Sequence, residues 1–374
     1  MIYKIYCDGN LIHYPPALTD TLILNDVKLE LGDSDSGSLS FTIYPNHDYY
    51  GHIVIFKSLI CVYQNDKLIW KGRPSSNDIN MDQSISYTCE GQLAFLNDVY
   101  YPKVYDKLET AGLESWLKTV LNTYNEHKED LYKIQFGSIG NFDDYHATAM
   151  TMDYHGYITC FELLSNILDY FGVGVYIAYE NGDAYLNVFF DDTPNEELIP
   201  VANCRFGKNL IDATVSYDIE DFATVLIPLG APQIPAGSTT NETNENLLLD
   251  ITSVNNNSIY IFNQQIVDTY GWIERVNEWR EINSPNKLKT VGEAYYETMI
   301  THPLTIEATM LDETYSKIEV EPLKLYDPIR IISGVHGLNV VDRIWSMSLN
   351  ISDPSQDTYK LSSVTPLSLI DMVN

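Results

Sequence analysis

Leu39, Phe41 and Ile43 alternate with Ser40 and Thr42, the two-residue period of a half-buried strand. The same period, interrupted by turn residues, fills the first hundred positions. Met1 to Tyr6 and Leu11 to His13 flank Asp8-Gly9-Asn10, a hairpin signal. Thr21 to Leu31 and Ile53 to Phe56 supply further strand regions. Leu59 to Asp98 then reads as a β-branched strand, the polar turn Gln64-Asn65-Asp66, a second strand, an outward loop, an alternating third strand and a short apolar segment. These elements predict a small antiparallel barrel or sandwich.

After Pro102 the period changes. Leu113, Trp116, Leu117, Val120 and Leu121 share one helical face, as do Phe161, Leu164, Ile167, Leu168 and Phe171, the latter set closed by Gly172 and Gly174. Val173 to Tyr179 and Ala184 to Phe190 predict two strands around Glu180-Asn-Gly-Asp183, and Asn-Gly between apolar runs is a strong hairpin signal. Strand character returns over Phe206 to Leu229. APQIPAGSTTNETNE reads as a linker or exposed loop, Leu288 to Thr301 as a helix and Leu304 to Met310 as a strand.

The Leu59 device recurs near the C-terminus. Pro328 to Asp371 repeats it at an offset of 270 residues, which sets Arg73 on Arg343, Leu59 on Ile329, Leu68 on Leu338 and Asn80 on Asn350. Two added residues in the second turn bring Tyr87 onto Tyr359. Two more bring Leu93, Phe95 and Leu96 onto Leu367, Leu369 and Ile370. Two distant copies of one pattern predict two similar β domains in one chain. The fold class expected is α+β, mostly β and multidomain: two similar antiparallel β-barrel domains with inserted α/β domains. The boundaries read as 1–102 for the first β domain, 103–205 for an α/β insertion, 206–232 plus 312–374 for the second β domain, and 233–311 for a second insertion.

Charge narrows the function. With 22 Lys and Arg against 52 Asp and Glu, the 374-residue chain carries a formal net charge of −30. Such a surface repels phosphate backbones and anionic membranes, but it suits a conduit to which passing DNA must not stick. At 45% hydrophobic and 20% charged residues the composition is globular. Cys7, Cys61, Cys89, Cys160 and Cys204 are odd in number and never in CxxC, which argues against a disulfide framework or a zinc site. No signal peptide or membrane span is read, so folding in a reducing cytoplasm is expected. Asn241, Asn256 and Asn350 head glycosylation patterns that carry no weight without secretion.

Residues that could carry chemistry are few. Asp33-x-Asp35-x-Gly37 resembles part of a calcium loop but lacks the third acidic ligand and the Glu at the twelfth position, so a solvated turn is expected. His146, Asp153 and His155 have the wrong spacing for a zinc peptidase, and no HExxH occurs. Cys160, near His155, falls on the apolar face of a helix, where a thiol is core. Asp191-Asp192 and Glu196-Glu197 read as an exposed acidic turn. No catalytic, cofactor-binding or metal residue is assigned, no cofactor is expected, and the chain is not read as an enzyme.

Three collinear segments carry a resemblance. They are Gly72-Arg73 with Cys89 to Asp98 (CEGQLAFLND), Phe206 to Asp212 (FGKNLID) leading to Leu226 to Gly230 (LIPLG), and Tyr270 to Glu274 (YGWIE) followed by a helix ending near Tyr296 and the late strand unit. Together they resemble the N-terminal region of the tail-associated, prophage tail endopeptidase or minor structural proteins of siphophages and prophages of Gram-positive bacteria. The resemblance implies the fold of the central baseplate hub of contractile phages, three subunits of which form a ring of six-fold pseudo-symmetry. It implies a virion protein at the tail tip, made and assembled in the bacterial host cytoplasm, with an acidic lumen for DNA. Its expected neighbours are the distal tail protein, the tape measure protein and receptor-binding or fibre proteins, without membrane insertion. Longer members continue into a peptidoglycan-cleaving or fibre region. This sequence stops at Asn374, so it reads as a short hub or a fragment, and the endopeptidase activity is not carried over. Two alternatives stand beside the hub: a cell-wall endopeptidase, and a carbohydrate- or receptor-binding module to which Trp272 and Trp279 would contribute.

Overall fold

Asp8 and Gly9 take positive φ angles of 49° and 80° and turn strand β1 (Tyr3–Cys7) back into β2 (Asn10–His13), as two-residue hairpin loops require. Asn65 and Asp66, at 47° and 65°, do the same between β5 (Ile60–Gln64) and the long β6 (Lys67–Ile79). Between these hairpins run β3 (Asn25–Gly32) and β4 (Ser38–Ile43), and β7 (Ile85–Gly91) follows. Leu39, Phe41 and Ile43 are buried as their alternation predicts. The computed structural model describes residues 2–16, 20–101, 109–140, 149–152, 157–190, 197–217, 222–233, 244–280, 282–300, 304–311, 322–335 and 337–363.

A buried histidine pair closes the β2 end. His13 Nδ1 accepts from Leu24 N (3.0 Å), and His47 Nδ1 accepts from Tyr49 N while its Nε2 donates to Ile12 O (2.8 Å). Burial first, and His47 second, push the His13 imidazole down to about 4. Between pH 4 and the ordinary value near 6.5, the unfolded chain binds the extra proton. His13 therefore withdraws stability as pH falls through that window, on the order of 3 kcal/mol. An NMR titration should show the His13 ring neutral at pH 5.5; a midpoint near 6.5 would refute this assignment.

Beyond the 3-10 segment Gln92–Asp98 the chain enters the inserted α/β part: β8 (Tyr100–Tyr101), β9 (Glu109–Ala111), helix α1 (Leu113–Asn125), β10 (Ile134–Ile139), β11 (Met150–Met152), β12 (Ile158–Thr159), α2 (Cys160–Phe171), β13 (Gly174–Glu180) and β14 (Asp183–Phe189). Thr159 caps α2 by accepting from Glu162 N, and Gly172 ends it at φ 63°. The predicted faces of both helices are buried, except for the partly buried Phe161, in one core with Leu93, Phe95 and Leu96 of the 3-10 segment. Each such aliphatic side chain contributes roughly 1.5–3 kcal/mol on burial. Asn181 and Gly182, at φ 53° and 92°, make the β13–β14 turn.

Next come β15 (Ala202–Arg205) and β16 (Leu210–Tyr217). The chain divides into two compact units, Met1–Thr214 with Glu307–Leu361, and Val215–Ile306 with Ser362–Asn374. In the second unit β17 (Val225–Leu229), β18 (Pro232–Gln233), β19 (Asn244–Leu248), β20 (Ile261–Phe262), α3 (Gln264–Tyr270), β21 (Glu274–Glu278) and α4 (Pro285–Ile300) follow in order. β17 is flanked by antiparallel β20 and parallel β21. Strand alternation alone groups β17 with the late β domain; its pairing places it in this unit's own sheet. Ala223, Leu226, Ile251, Ile261, Ile282, Leu288, Tyr296 and Met299 form the core.

The chain returns through β22 (Leu304–Met310), β23 (Pro328–Ser333), β24 (Leu338–Asn350) and β25 (Thr358–Ser363). The repeat seen in the sequence is present in the strand register. Tyr63 faces Leu68 as Ser333 faces Leu338, and Asn77 faces Tyr87 as Met347 faces Tyr359. A bulge lies between Pro74 and Ser76 in β6 and at the matching place, between Ile344 and Ser346, in β24. The match starts before the strands. Phe56 and Tyr326 both sit at left-handed φ (58° and 67°), and their N–H groups donate to Pro74 O (2.8 Å) and Ile344 O (2.7 Å). Leu367, Leu369 and Ile370 lie outside the described residues.

The architecture is α+β and mostly β, as expected, but the two β copies are not separate sheets. Among the described residues they share one thirteen-stranded sheet with the path β16-β22-β25-β24-β3-β4-β7-β6-β5-β1-β2, to which β23 and β15 attach at β24. The seam is the antiparallel pairing of β24 with β3, from Ser346 opposite Gly32 to Asn350 opposite Lys28.

Candidate functional site

Strand order shows where the first unit is left open. β3-β4-β7-β6 in the first copy corresponds to β16-β22-β25-β24 in the second. The second half of β24 is lined by β3, but the matching stretch of the first copy, Ser76–Ile79 of β6 with Asn80 just beyond, has no strand on that edge among the described residues. β16, the counterpart of β3, ends the sheet: among the described residues no further strand pairs with it, and one isolated bridge joins its first residue, Leu210, to Phe206. Ser76 to Asn80 are all exposed. Ile79 is 74% exposed, and Met81 just beyond it and Ile211 on β16 are also open to solvent. Open edges carrying apolar side chains are templates for another strand.

Behind the seam the inserted α/β part meets both β copies. Tyr326 stacks on Phe189 (3.8 Å, 3°), meets the edges of Tyr176 and Trp345, and donates through Oη to Asp33 Oδ1 (2.5 Å). Burial, and then Asp33, raise the Tyr326 phenol far above its ordinary value, so it remains a donor. Lys71 N donates to Tyr179 Oη and Lys71 Nζ to Gly182 O, tying β6 to the β13–β14 hairpin. A cavity of about 880 Å³ opens here, lined among others by Trp70, Gln92, Tyr176, Tyr326 and Arg343.

The paired arginines differ in setting. Arg73 lies between the rings of Phe56 and Phe95, bonds Glu90 through Nε, and grips both oxygens of Asp98 at 2.7 Å. Burial pushes the Asp98 carboxyl up, yet the bonds from Arg73 and Lys128 prevail and hold it below its usual range. Arg343 lies over Phe189 and donates to Tyr326 O. Beside it Asp342 is buried with Oδ2 unpartnered. Burial raises its carboxyl to about 7, so it stabilises the fold below the ordinary value near 3.8 and loses that effect as pH rises toward 7.

The candidates read from sequence fare as follows. Asp33 is not a free turn carboxylate but an acceptor for Tyr326 and Ser34; Ser34 is its neighbour in the turn, whereas Tyr326, 293 positions away, leaves no local signal. Cys160 is fully buried, and burial pushes its thiol up to about 11, the reverse of an activated nucleophile. None of the five cysteines is joined in a disulfide. His146, Asp153, His155, Asp191, Asp192 and Glu196 lie outside the described residues. Among the described residues no three His, Cys, Asp or Glu side chains gather as a metal site would need. Trp279 packs edge-on against Tyr295, whereas Trp272 is 49% exposed. No described helix is long and apolar enough to cross a membrane.

The fold is that of prophage tail proteins. A prophage tail protein of 43 kDa from Shewanella oneidensis superposes with a TM-score of 0.64 at 12% identity, covering 98% of this chain and 99% of the other. A tail protein from Neisseria meningitidis gives 0.59 at 13% identity over 96% of each chain. Tail protein gp18 of a Listeria monocytogenes prophage gives 0.52 at 14% identity, over 100% and 97%. Residues 201–368 match the family model described as Prophage endopeptidase tail, in agreement with the resemblance read from the sequence. No curated protein sequence matches the chain.

Proposed function

We propose that this chain is a structural subunit of a phage or prophage tail tip, three copies of which close into a ring at the distal end of the tail tube. The observation that carries the reading is the pair of open edges. Within one chain the seam joins β3 of the first copy to β24 of the second. Pairing residues 210–214 of β16 with the Ser76–Ile79 end of β6 in a neighbouring molecule would repeat that junction between chains. Such a head-to-tail contact closes into a ring when the rotation permits. Three chains then present six similar β units to a six-fold tube, and the net charge of −30 gives a lumen that does not retain DNA. The ring would join the distal tail protein and tape measure protein on one side to receptor-binding or fibre proteins on the other. It would act as a structural part of the virion, without catalysis of its own.

Light scattering on a sizing column tests the ring. The expected mass is three times the 42.6 kDa chain, with annuli in electron micrographs. The Ile79→Lys variant, which changes only an exposed side chain, should dissociate the ring without altering its thermal unfolding profile as a monomer. A mass that stays at one chain across concentration and salt would overturn the proposal.

A further inference from the structure

Trp272 is an exposed aromatic held as rigidly as a buried one. The buried Thr224 clamps the peptides on both sides of it: its Oγ1 donates to Gly271 O (2.7 Å) and accepts from Ile273 N (2.9 Å). The indole Nε1 donates to Glu274 Oε1 (2.8 Å). Tyr260 meets the ring edge-on at 5.3 Å and Phe262 at 5.4 Å. Yet nearly half of Trp272 and 39% of Phe262 remain in solvent. Holding a large apolar ring immobile at the surface gains little for folding, but it removes the ordering cost that binding would otherwise incur.

We infer that this platform is a binding site for a neutral or N-acylated pyranose of a glycan. Three observations select that class. The faces of the half-exposed indole carry the negative side of the ring quadrupole, which attracts the partly positive axial C–H groups of a sugar ring. At its rim Glu274 is exposed, and among the described residues its only bonded partner is the indole N–H, leaving acceptor capacity for a hydroxyl or amide N–H. Further along the same strand face Glu278 is paired with Arg280, so the Glu274 carboxylate is the charge at the rim, and it disfavours phosphorylated or uronic sugars. The site lies wholly within the second unit and is independent of ring formation.

The test is a titration of the full chain with chitotetraose, followed by tryptophan fluorescence, since Trp272 is the most exposed of the indoles. A saturable change is expected. Trp272→Ala should weaken binding at least tenfold, and Glu274→Gln several-fold with the ring left in place, while Trp279→Phe should leave it unchanged. Near-ultraviolet circular dichroism of Glu274→Gln checks that the platform is intact. No saturable change at millimolar chitotetraose, or binding that survives Trp272→Ala, overturns the site. So does saturable binding of another protein to the same face in place of the sugar.

Discussion

Gly91→Ala is expected to destabilise the first unit by about 3 kcal/mol or more, the upper range for overpacking a tight site. A Cβ there would fall 1.7 Å from the carbonyl oxygen of Ser36, and backbone hemmed in by β4 and β6 cannot swing aside as a flexible side chain would. Gly91 belongs to a set. Together with Gly37 and Gly72 it makes room for the indole of Trp70, whose atoms lie 2.2 to 3.0 Å from the three vacant Cβ positions. The second copy shows what relaxes this demand: at the places of Trp70 and Gly72 it has Val340 and Asp342. The midpoint of urea unfolding checks the effect. Gly112→Ala, where no atom lies within 4 Å of the added Cβ and φ is ordinary, loses only a preferred helix N-cap and should cost about 1 kcal/mol or less. Equal effects at the two positions would refute the steric account.

Tyr326→Ala should cost about 3–5 kcal/mol, the range for removing a buried aromatic. The ring contributes its stack on Phe189, and its hydroxyl satisfies Asp33, which would be left with only Ser34 among the partners named above. Tyr326→Phe isolates the hydroxyl and should cost about 1.5–3 kcal/mol, as for a hydrogen bond to a charged group. Chemical denaturation of both variants separates stack from bond. If Tyr326→Ala changed stability by less than about 1 kcal/mol, the three parts of the first unit would not be joined through this residue.

Local chemistry accounts for what could be read before any coordinates. Asp8-Gly9, Asn65-Asp66 and Asn181-Gly182 tolerate positive φ, so their hairpins follow from residue type. Gly172 ends α2 for the same reason. Repeat register was readable because a strand shifted by one residue would turn its buried face outward. The left-handed backbone at Phe56 and Tyr326 was hidden: an aromatic residue gives no turn signal, and only the bond to Pro74 or Ile344 across the sheet reveals it. Alternation over Val225–Leu229 reports that the strand has a buried face, not which strand lies beside it, so its pairing with β20 and β21 is visible only in the structure. The Trp272 platform had one readable element, the tryptophan itself. Its clamp, Thr224, is 48 positions away in sequence, and nothing local separates it from any other threonine.

The β3–β24 seam also sets an order of events in biosynthesis. Val27 N donates to Ser352 Oγ, a bond spanning 325 positions, and Ile351 N donates to Val27 O beside it. At a ribosome adding about 5–20 residues per second, β3 has emerged tens of seconds before its partner strand exists. During that interval the nascent chain can form the β1–β2, β5–β6 and β6–β7 hairpins and the inserted α/β core, all from local contacts, while one side of β3 stays bare. That side of β3 is thus covered only once β24 has been translated. Truncation after β23 would leave a chain that is largely folded yet prone to aggregate through that strand.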